Sequence, residues 1–447
     1  MKYTVLYQAV AKELGDGCYY DSQMASRIEL WSKMYEGAAP WNGAQVFSAG
    51  IASAVSAEIA KLTTIEAKLS LEGSDLIEQQ MKERIVRKLR QFSEYGLAKG
   101  SLIIKPIVSG NTLSTQFIQA DKFFPVSYDS SGDITRCVLI EQIRRGKSMF
   151  TRFEIHTVKD GILTVENRAY RSSDDGTLGT RCSLAEVEEW SSFSENDSFS
   201  GINKLPFGLF RCPLANQLGD TPLGASVFSR AVEHIKEADR RYSDICWEYE
   251  AKQAAIHVAE NMLKYDKEND RYIMPGGNDR LYRAMMYNTG ATDRPLIEIY
   301  SPEIRSSAYF EGFNAQLRMI EFDCSLAYGT ISDPNTVDKT ATEIEASKQR
   351  SYTLVSDCQE AMESALKDWA DGALFWLRLY GLERSSEVEL NIDWGDSILS
   401  NPQAEREEDR KDVSMGVMRP EEYRAKWYGE ELDEALKNLP ASAQVID

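Results

Sequence analysis

Three long runs in the second half of the chain repeat apolar residues at alternating spacings of three and four, and they constrain the fold more than any other feature. The first, over about residues 225–253, carries Phe228, Ala231, Ile235, Ala238, Tyr242, Ile245 and Tyr249. The second, about 302–328, carries Tyr309, Phe313, Leu317, Ile320, Cys324 and Ala327. The third, from about Thr340 to a stop at Gly381, carries Val355, Cys358, Met362, Leu366, Trp369, Ala373 and Trp376. Each spacing places one apolar seam along a helix, which has to be buried against another element. Thr221-Pro222 leads into the first helix, Ser301-Pro302 supplies an N-cap and a first-turn proline for the second, and Thr340 with Glu343 has capping-box spacing for the third. Residues 254–300, between the first two, alternate weakly and read as a small α/β insertion. Residues 328–339 read as an exposed, mobile loop containing Gly329 and Asp333-Pro334.

The first half has a different rhythm. Helical spacing covers residues 24–35, about 45–62 and 74–98, and Gly96 and Gly100 close the last of these. Between Ser101 and Tyr170 the period falls to two in six runs, as expected of an antiparallel sheet. Asp160-Gly161 joins two of those runs and is a type I′ hairpin signal. His156 falls on the polar side of its strand and reads as solvated. The polar stretch 191–200 reads as a surface loop. After Leu382 come three short helices, bounded by Asn401-Pro402, Arg419-Pro420 and Tyr428-Gly429. The fold class is therefore α+β.

Composition narrows function. The net charge is −19 over 447 residues, with 17 Asp plus Glu against 8 Lys plus Arg after residue 381. A protein that grips phosphates needs clustered bases, so nucleic acid is at most a passing cargo. The acidity suits either a channel wall that does not stick to DNA or simple solubility, and composition alone favours solubility. The seven cysteines, Cys18, Cys137, Cys182, Cys212, Cys246, Cys324 and Cys358, form no CxxC pair and read as reduced thiols. No P-loop, GxSxG elbow, HExxH helix or EF-hand loop occurs, and His156, His234 and His257 lack metal-ligand spacing. Asp174-Asp175-Gly176 reads as a turn, and Glu343 and Glu345 point to different sides of their helix. No catalytic residue, metal or cofactor is expected. No apolar run reaches a membrane span, and the N-terminus lacks a signal-peptide pattern, so a soluble chain without membrane contact is expected.

The order of elements resembles the portal proteins of long-tailed bacteriophages, in particular the minor capsid or portal branch found in phages of Gram-positive bacteria. WSKMYEGAAPW (31–41) is similar to an early family segment. GSLIIKPIVSGNTLSTQFIQADKFFPVSYDSSGDI (100–134) resembles the family sheet, and FEIHTVKDGILTVENRAY with LGTRCSLAEVEEW resembles the hairpin after it. PLGASVFSRAVEHIKEADRRYSDICWEYE (222–250) resembles the first stem helix, and KTATEIEASKQRSYTLVSDCQEAMESAL (339–366) the helix after the tunnel loop. GVMRPEEYRAKWYGEELDEAL is similar to the C-terminal pattern, with Pro420 close to where the family has Ser.

The resemblance implies a portal-type ring subunit with the following parts. Residues 1–222 would be the wing, 223–253 the first stem helix, 254–300 the clip and 301–327 the second stem helix. Residues 328–339 would be the tunnel loop, 340–381 a long wing helix and 382–447 an acidic helical crown. It implies a non-enzymatic ring of about twelve copies at one capsid vertex, built in the host cytoplasm, through which double-stranded DNA is packaged and ejected. Expected partners are further copies of the chain, the terminase packaging motor, a head-completion or adaptor protein, and major capsid and scaffold proteins. The tunnel-loop residues Asp333, Asn335, Thr336, Asp338 and Lys339 would face DNA. The clip residues Asp266, Lys267, Asp270, Arg271, Asp279 and Arg280 would meet the motor and adaptor. The rival readings are another virion or scaffold assembly protein without a DNA channel and, more distantly, an unrecognised nuclease or other hydrolase.

Overall fold

The computed structural model describes residues 2–15, 21–174, 176–219, 221–252, 255–259, 263–273, 282–285, 297–300, 303, 306–333, 341–395 and 402–439. Helices α1 (Tyr3–Leu14), α2 (Ser22–Tyr35) and α3 (Ile51–Thr64) open the chain, and strand β1 (Lys68–Glu72) follows. Helix α4 (Asp75–Gln80) then runs through a π-helical turn, Met81–Val86, into α5 (Arg87–Lys99). Asp21 caps α2 by accepting from the N–H groups of Gln23 and Met24. Gly100, at φ 86°, ends α5. Helix α1 is anchored on the sheet domain: the hydroxyls of Tyr3 and Tyr7 donate to the carbonyls of Phe123 and Pro125, each at 2.9 Å.

Nine strands follow: β2 (Ser101–Ser109), β3 (Thr112–Gln119), β4 (Phe123–Tyr128), β5 (Ile134–Arg145), β6 (Ser148–Lys159), β7 (Ile162–Ser172), β8 (Thr180–Cys182), β9 (Asn196–Ser200) and β10 (Gly208–Arg211). They form two antiparallel sheets. One has the order β10-β2-β3, with β3 at its edge; the other has the order β4-β5-β6-β7-β8, with β9 also on β7. The β6–β7 hairpin turns at Asp160 and Gly161, whose φ values of 51° and 76° are those of the expected turn. The stretch expected as a surface loop contributes β9, which pairs Asn196–Ser200 with Glu166–Ile162 of β7 and is mostly exposed.

Helix α6 (Val232–Ala251) is followed by strands β11 (Ala255–Ala259), β12 (Lys264–Asp266), β13 (Arg271–Ile273), β14 (Tyr282–Met285) and β15 (Ile297–Tyr300), then by α7 (Ser306–Asp323) and α8 (Ala341–Leu379). Strand β16 (Glu389–Asp393) and helices α9 (Pro402–Met415), α10 (Pro420–Tyr428) and α11 (Leu432–Lys437) complete the chain. The first seam starts later than expected. Residues 225–228 are buried loop and Ser229–Ala231 is a 3-10 turn, so α6 proper has 20 residues. The caps expected at Ser301, Pro302 and Thr340 lie outside the described residues.

Helix α8 packs beneath β10 and β2, burying Val355, Cys358, Met362, Leu366, Trp369 and Ala373 of its seam. The approach is close: a Cβ on Gly208 of β10 would stand 1.8 Å from the Ala365 carbonyl oxygen. A pairing with no signal in the periodicity joins distant parts of the chain, with β16 antiparallel to β1 from Lys68↔Asp393 to Glu72↔Glu389.

His156 is not solvated as its strand position suggested; it is 1% exposed. Strand β6 is covered on both faces, so its polar side chains lie inside. Glu154 receives the Lys105 ammonium from β2, the Arg152 guanidinium at 3.2 Å and His156 Nε2 at 2.7 Å. Arg152 also meets Glu141 at 2.9 Å and Asn167 at 2.7 Å. Burial alone would raise the Glu154 carboxyl, but Lys105, His156 and Arg152 outweigh it and hold the group well below the carboxylate range. Burial pushes His156 down, and the Lys105 and Arg152 charges add to that effect against the pull of Glu154.

Candidate functional site

The seams of α6 and α7 pack these helices antiparallel. Tyr242 meets Phe313 with ring centroids 6.3 Å apart, and Lys252 Nζ donates to the Glu303 carbonyl at 3.0 Å near one end. Near the other end Gln316 Nε2 donates to His234 Nδ1 at 2.6 Å, and His234 Nε2 stands 3.6 Å from Asp323. The strand insertion therefore leaves from one end of the pair and the loop after α7 from the other. Large apolar side chains remain exposed on both helices: Trp247 at 65%, Phe310 at 49%, Met319 at 49% and Phe322 at 54%. Among the described residues these apolar side chains stay largely open to solvent.

Helix α6 is fixed to the N-terminal half by Asp239, which is buried. Its carboxylate accepts from Trp41 Nε1 (2.8 Å), Asn42 Nδ2 (3.2 Å) and the Ala49 N–H (2.8 Å). Ser243 Oγ accepts from the Phe47 N–H at 2.8 Å. These long-range bonds hold residues 41–49 in an irregular path, so α3 begins at Ile51 and not near residue 45.

The loop after α7 was expected to be mobile, but its described part is pinned. Glu321, fully buried near the end of α7, accepts from the N–H groups of Gly329 (3.1 Å), Ile331 (2.7 Å) and Ser332 (2.9 Å) and from the Ser332 hydroxyl (2.8 Å). Gly329, at φ 90°, makes the turn. The Ser351 hydroxyl of α8 accepts from the Ala327 N–H at 2.7 Å, and the Arg350 guanidinium lies 4.9 Å from the Phe322 ring centroid. Glu321 was missed at the sequence level because a carboxylate that accepts from a loop eight to eleven residues ahead leaves no local signature. Asp333 is exposed, and its N–H donates to Asn314 Oδ1 at 2.7 Å. Asn335, Thr336, Asp338 and Lys339 lie outside the described residues.

Among the described residues of the insertion are five strands. β11 pairs parallel with β14 and antiparallel with β15, and β12 and β13 form a separate hairpin. The helical part expected of the insertion falls on no described residue. Four of the expected docking residues meet at the hairpin tip. Asp266 stands opposite Arg271, while Lys267 and Asp270 lie in the turn, where Asp270 has φ 49° and accepts from the Tyr265 hydroxyl. Asp266 accepts from Asn269 Nδ2 at 2.8 Å and from the Glu268 N–H at 3.0 Å; these bonds, that from Asn269 first, lower its pKa. Asp279 and Arg280 lie outside the described residues.

A helix pair that projects a strand module at one end, holds a pinned loop at the other and exposes apolar faces along its length has the layout of an assembly subunit. The family described as "Phage portal protein, SPP1 Gp6-like" matches residues 51–443, and the chain belongs to that family. It is accordingly a portal, or head–tail connector, protein: a virion component from a structural family whose members assemble as rings in a phage head. Among solved structures the chain is similar to one titled "Neck of native GTA particle computed with C12 symmetry". The two are 14% identical, with a TM-score of 0.46, over 94% of this chain and 98% of that one. Comparison with curated proteins finds no match.

Proposed function

We propose that about twelve copies close into a ring at one capsid vertex, with double-stranded DNA passing through the centre during packaging and ejection. Residues 223–253 and 301–327 are the stem. Residues 254–300 are the clip that docks the terminase motor and later the head-completion or adaptor protein, with Asp266, Lys267, Asp270 and Arg271 at its hairpin tip and Asp279 and Arg280 nearby in sequence. Residues 1–222 and 340–381 form the wing, which faces capsid and scaffold proteins, and residues 382–447 form the crown. Assembly takes place in the host cytoplasm.

The observation that carries this reading is the antiparallel α6–α7 pair. Trp247, Phe310, Met319 and Phe322 are exposed along it, and neighbouring copies would cover them. The tunnel loop, residues 328–339, contains Asp333, Asp338 and Lys339 as its charged groups, with Asn335 and Thr336 between them. Repeated around a ring, that composition holds phosphate weakly and lets DNA slide. Changing Asp333 and Asn335 to arginine adds counterion-releasing phosphate contacts, so DNA affinity should rise and become steeply salt-dependent. Packaging in a reconstituted reaction should slow or stall while ring formation is unchanged. Normal packaging by the double variant at low salt would sink the sliding role of this loop.

A further inference from the structure

Between the π-helical turn and strand β3 lies an open groove of about 710 Å³. Four features of it converge on one kind of ligand. First, β3 is the edge of its sheet: among the described residues it pairs with β2 alone, and its residues Ser114–Phe117 line the groove. Second, Arg84 and Arg87 stand on the opposite wall, exposed, and have no hydrogen-bond or ion-pair partner among the described residues. The neighbouring charges are already engaged, Lys82 by Glu78 and Glu83 by Gln79 Nε2. Third, Thr115, which lines the groove at 4% exposure, has a buried hydroxyl without a partner among the described residues. Fourth, Phe92 stacks on Phe117 with ring centroids 3.9 Å apart, so this end of the groove is rigid and apolar.

Two unpaired arginines a turn apart stand out in a chain of net charge −19. The π-turn inserts an extra residue into the helical register, which turns the helix surface relative to the rest of α4 and α5. Guanidinium groups bind carboxylates through paired hydrogen bonds. An open strand edge binds an extended backbone and reads alternate side chains.

We propose that this wing groove is a docking site for an extended peptide segment with acidic side chains, which adds as a strand to β3 and places carboxylates against Arg84 and Arg87. Duplex DNA fits less well, because the groove lining holds two bases, Arg84 and Arg87, too few for a continuous phosphate track. The proposal does not depend on the channel reading and survives its failure.

The test is fluorescence anisotropy on the purified full-length protein, using as probes a labelled short peptide alternating valine and glutamate, its valine–lysine counterpart, and a labelled DNA duplex. The glutamate peptide should bind, with affinity falling as salt rises, and should bind the R84E/R87E double variant at least about tenfold more weakly. The milder R84Q/R87Q variant should show a smaller loss. Both arginines are exposed, and circular dichroism checks that each variant keeps its fold. The proposal is overturned by equal binding of the lysine peptide, by undiminished binding of the glutamate peptide to R84E/R87E, or by arginine-dependent binding of the duplex alone, which would make the groove a nucleic-acid surface. Failure of any probe to bind would equally reject it.

Discussion

Glu321 gives the most direct handle on the loop that follows α7. Its two oxygens satisfy three backbone N–H groups and one hydroxyl, and two of those four donors belong to Ser332, which is itself buried at 5% exposure. A buried donor left without an acceptor costs about 1–3 kcal/mol. In Glu321→Ala the two Ser332 donors cannot reach water unless the loop opens, so local stability should fall by about 2–6 kcal/mol. Glu321→Gln keeps one oxygen for the N–H groups, and its amide can donate to the Ser332 hydroxyl oxygen. It loses the charge assistance and the acceptor of the Ser332 O–H, about 1–3 kcal/mol in all and less than the alanine variant. Hydrogen-exchange mass spectrometry on peptides covering residues 326–333 reads this out. Each 1.4 kcal/mol is tenfold in the opening equilibrium, so protection should drop at least about thirtyfold in the alanine variant and clearly less in the glutamine variant. Unchanged protection in Glu321→Ala would refute the anchoring role, and equal losses in the two variants would refute the bonding argument.

The buried network around Glu154 makes a pH prediction. His156 has a folded pKa below its unfolded value of about 6.5, so the unfolded state takes up its proton first as pH falls. That contribution to stability is complete above about pH 6.5 and is lost below it. Glu154, also depressed, adds stability above the unfolded carboxylate pKa of about 4.3 that disappears at lower pH. Thermal midpoints should therefore fall between pH 7 and 5, and His156→Gln should remove most of that slope; an unaltered slope contradicts the assignment. Glu154→Gln leaves Lys105 without a buried counter-charge, while Arg152 keeps Glu141, and should cost about 3–5 kcal/mol in denaturant titrations. In a separate region, Gly208→Ala pushes a methyl into the Ala365 carbonyl and should cost about 3 kcal/mol or more, read as a lower midpoint and poorer recovery of folded protein.

The elements read correctly from sequence carry their own periodicity. The seams of α6, α7 and α8 and the Asp160-Gly161 hairpin are local patterns, and local physics produces them. The readings that failed depend on partners far away in the chain. His156 was placed in solvent because period-two alternation assumes one wet face, whereas Lys105 of β2 and the Phe207 ring, 5.8 Å from the imidazole, cover the second face. β9 and the β1–β16 pair are short strands whose signal lies in their partners. The loop after α7 carries turn residues, which mark a change of direction and say nothing about rigidity. At the candidate site, weak alternation made the strand character of the insertion legible, but not the hairpin turn that gathers Asp266, Lys267, Asp270 and Arg271. Glu321 and Asp239 were not legible either, because a buried carboxylate serving backbone donors is indistinguishable in sequence from a solvated one.

Imaging the purified full-length protein by electron microscopy, with mass photometry on the same sample, tests the central claim most directly. The account predicts closed rings of about twelve subunits with a central hole wide enough for a DNA duplex, formed without any other component. A particle that stays monomeric or dimeric at micromolar concentration, or a closed assembly without a hole, would contradict it.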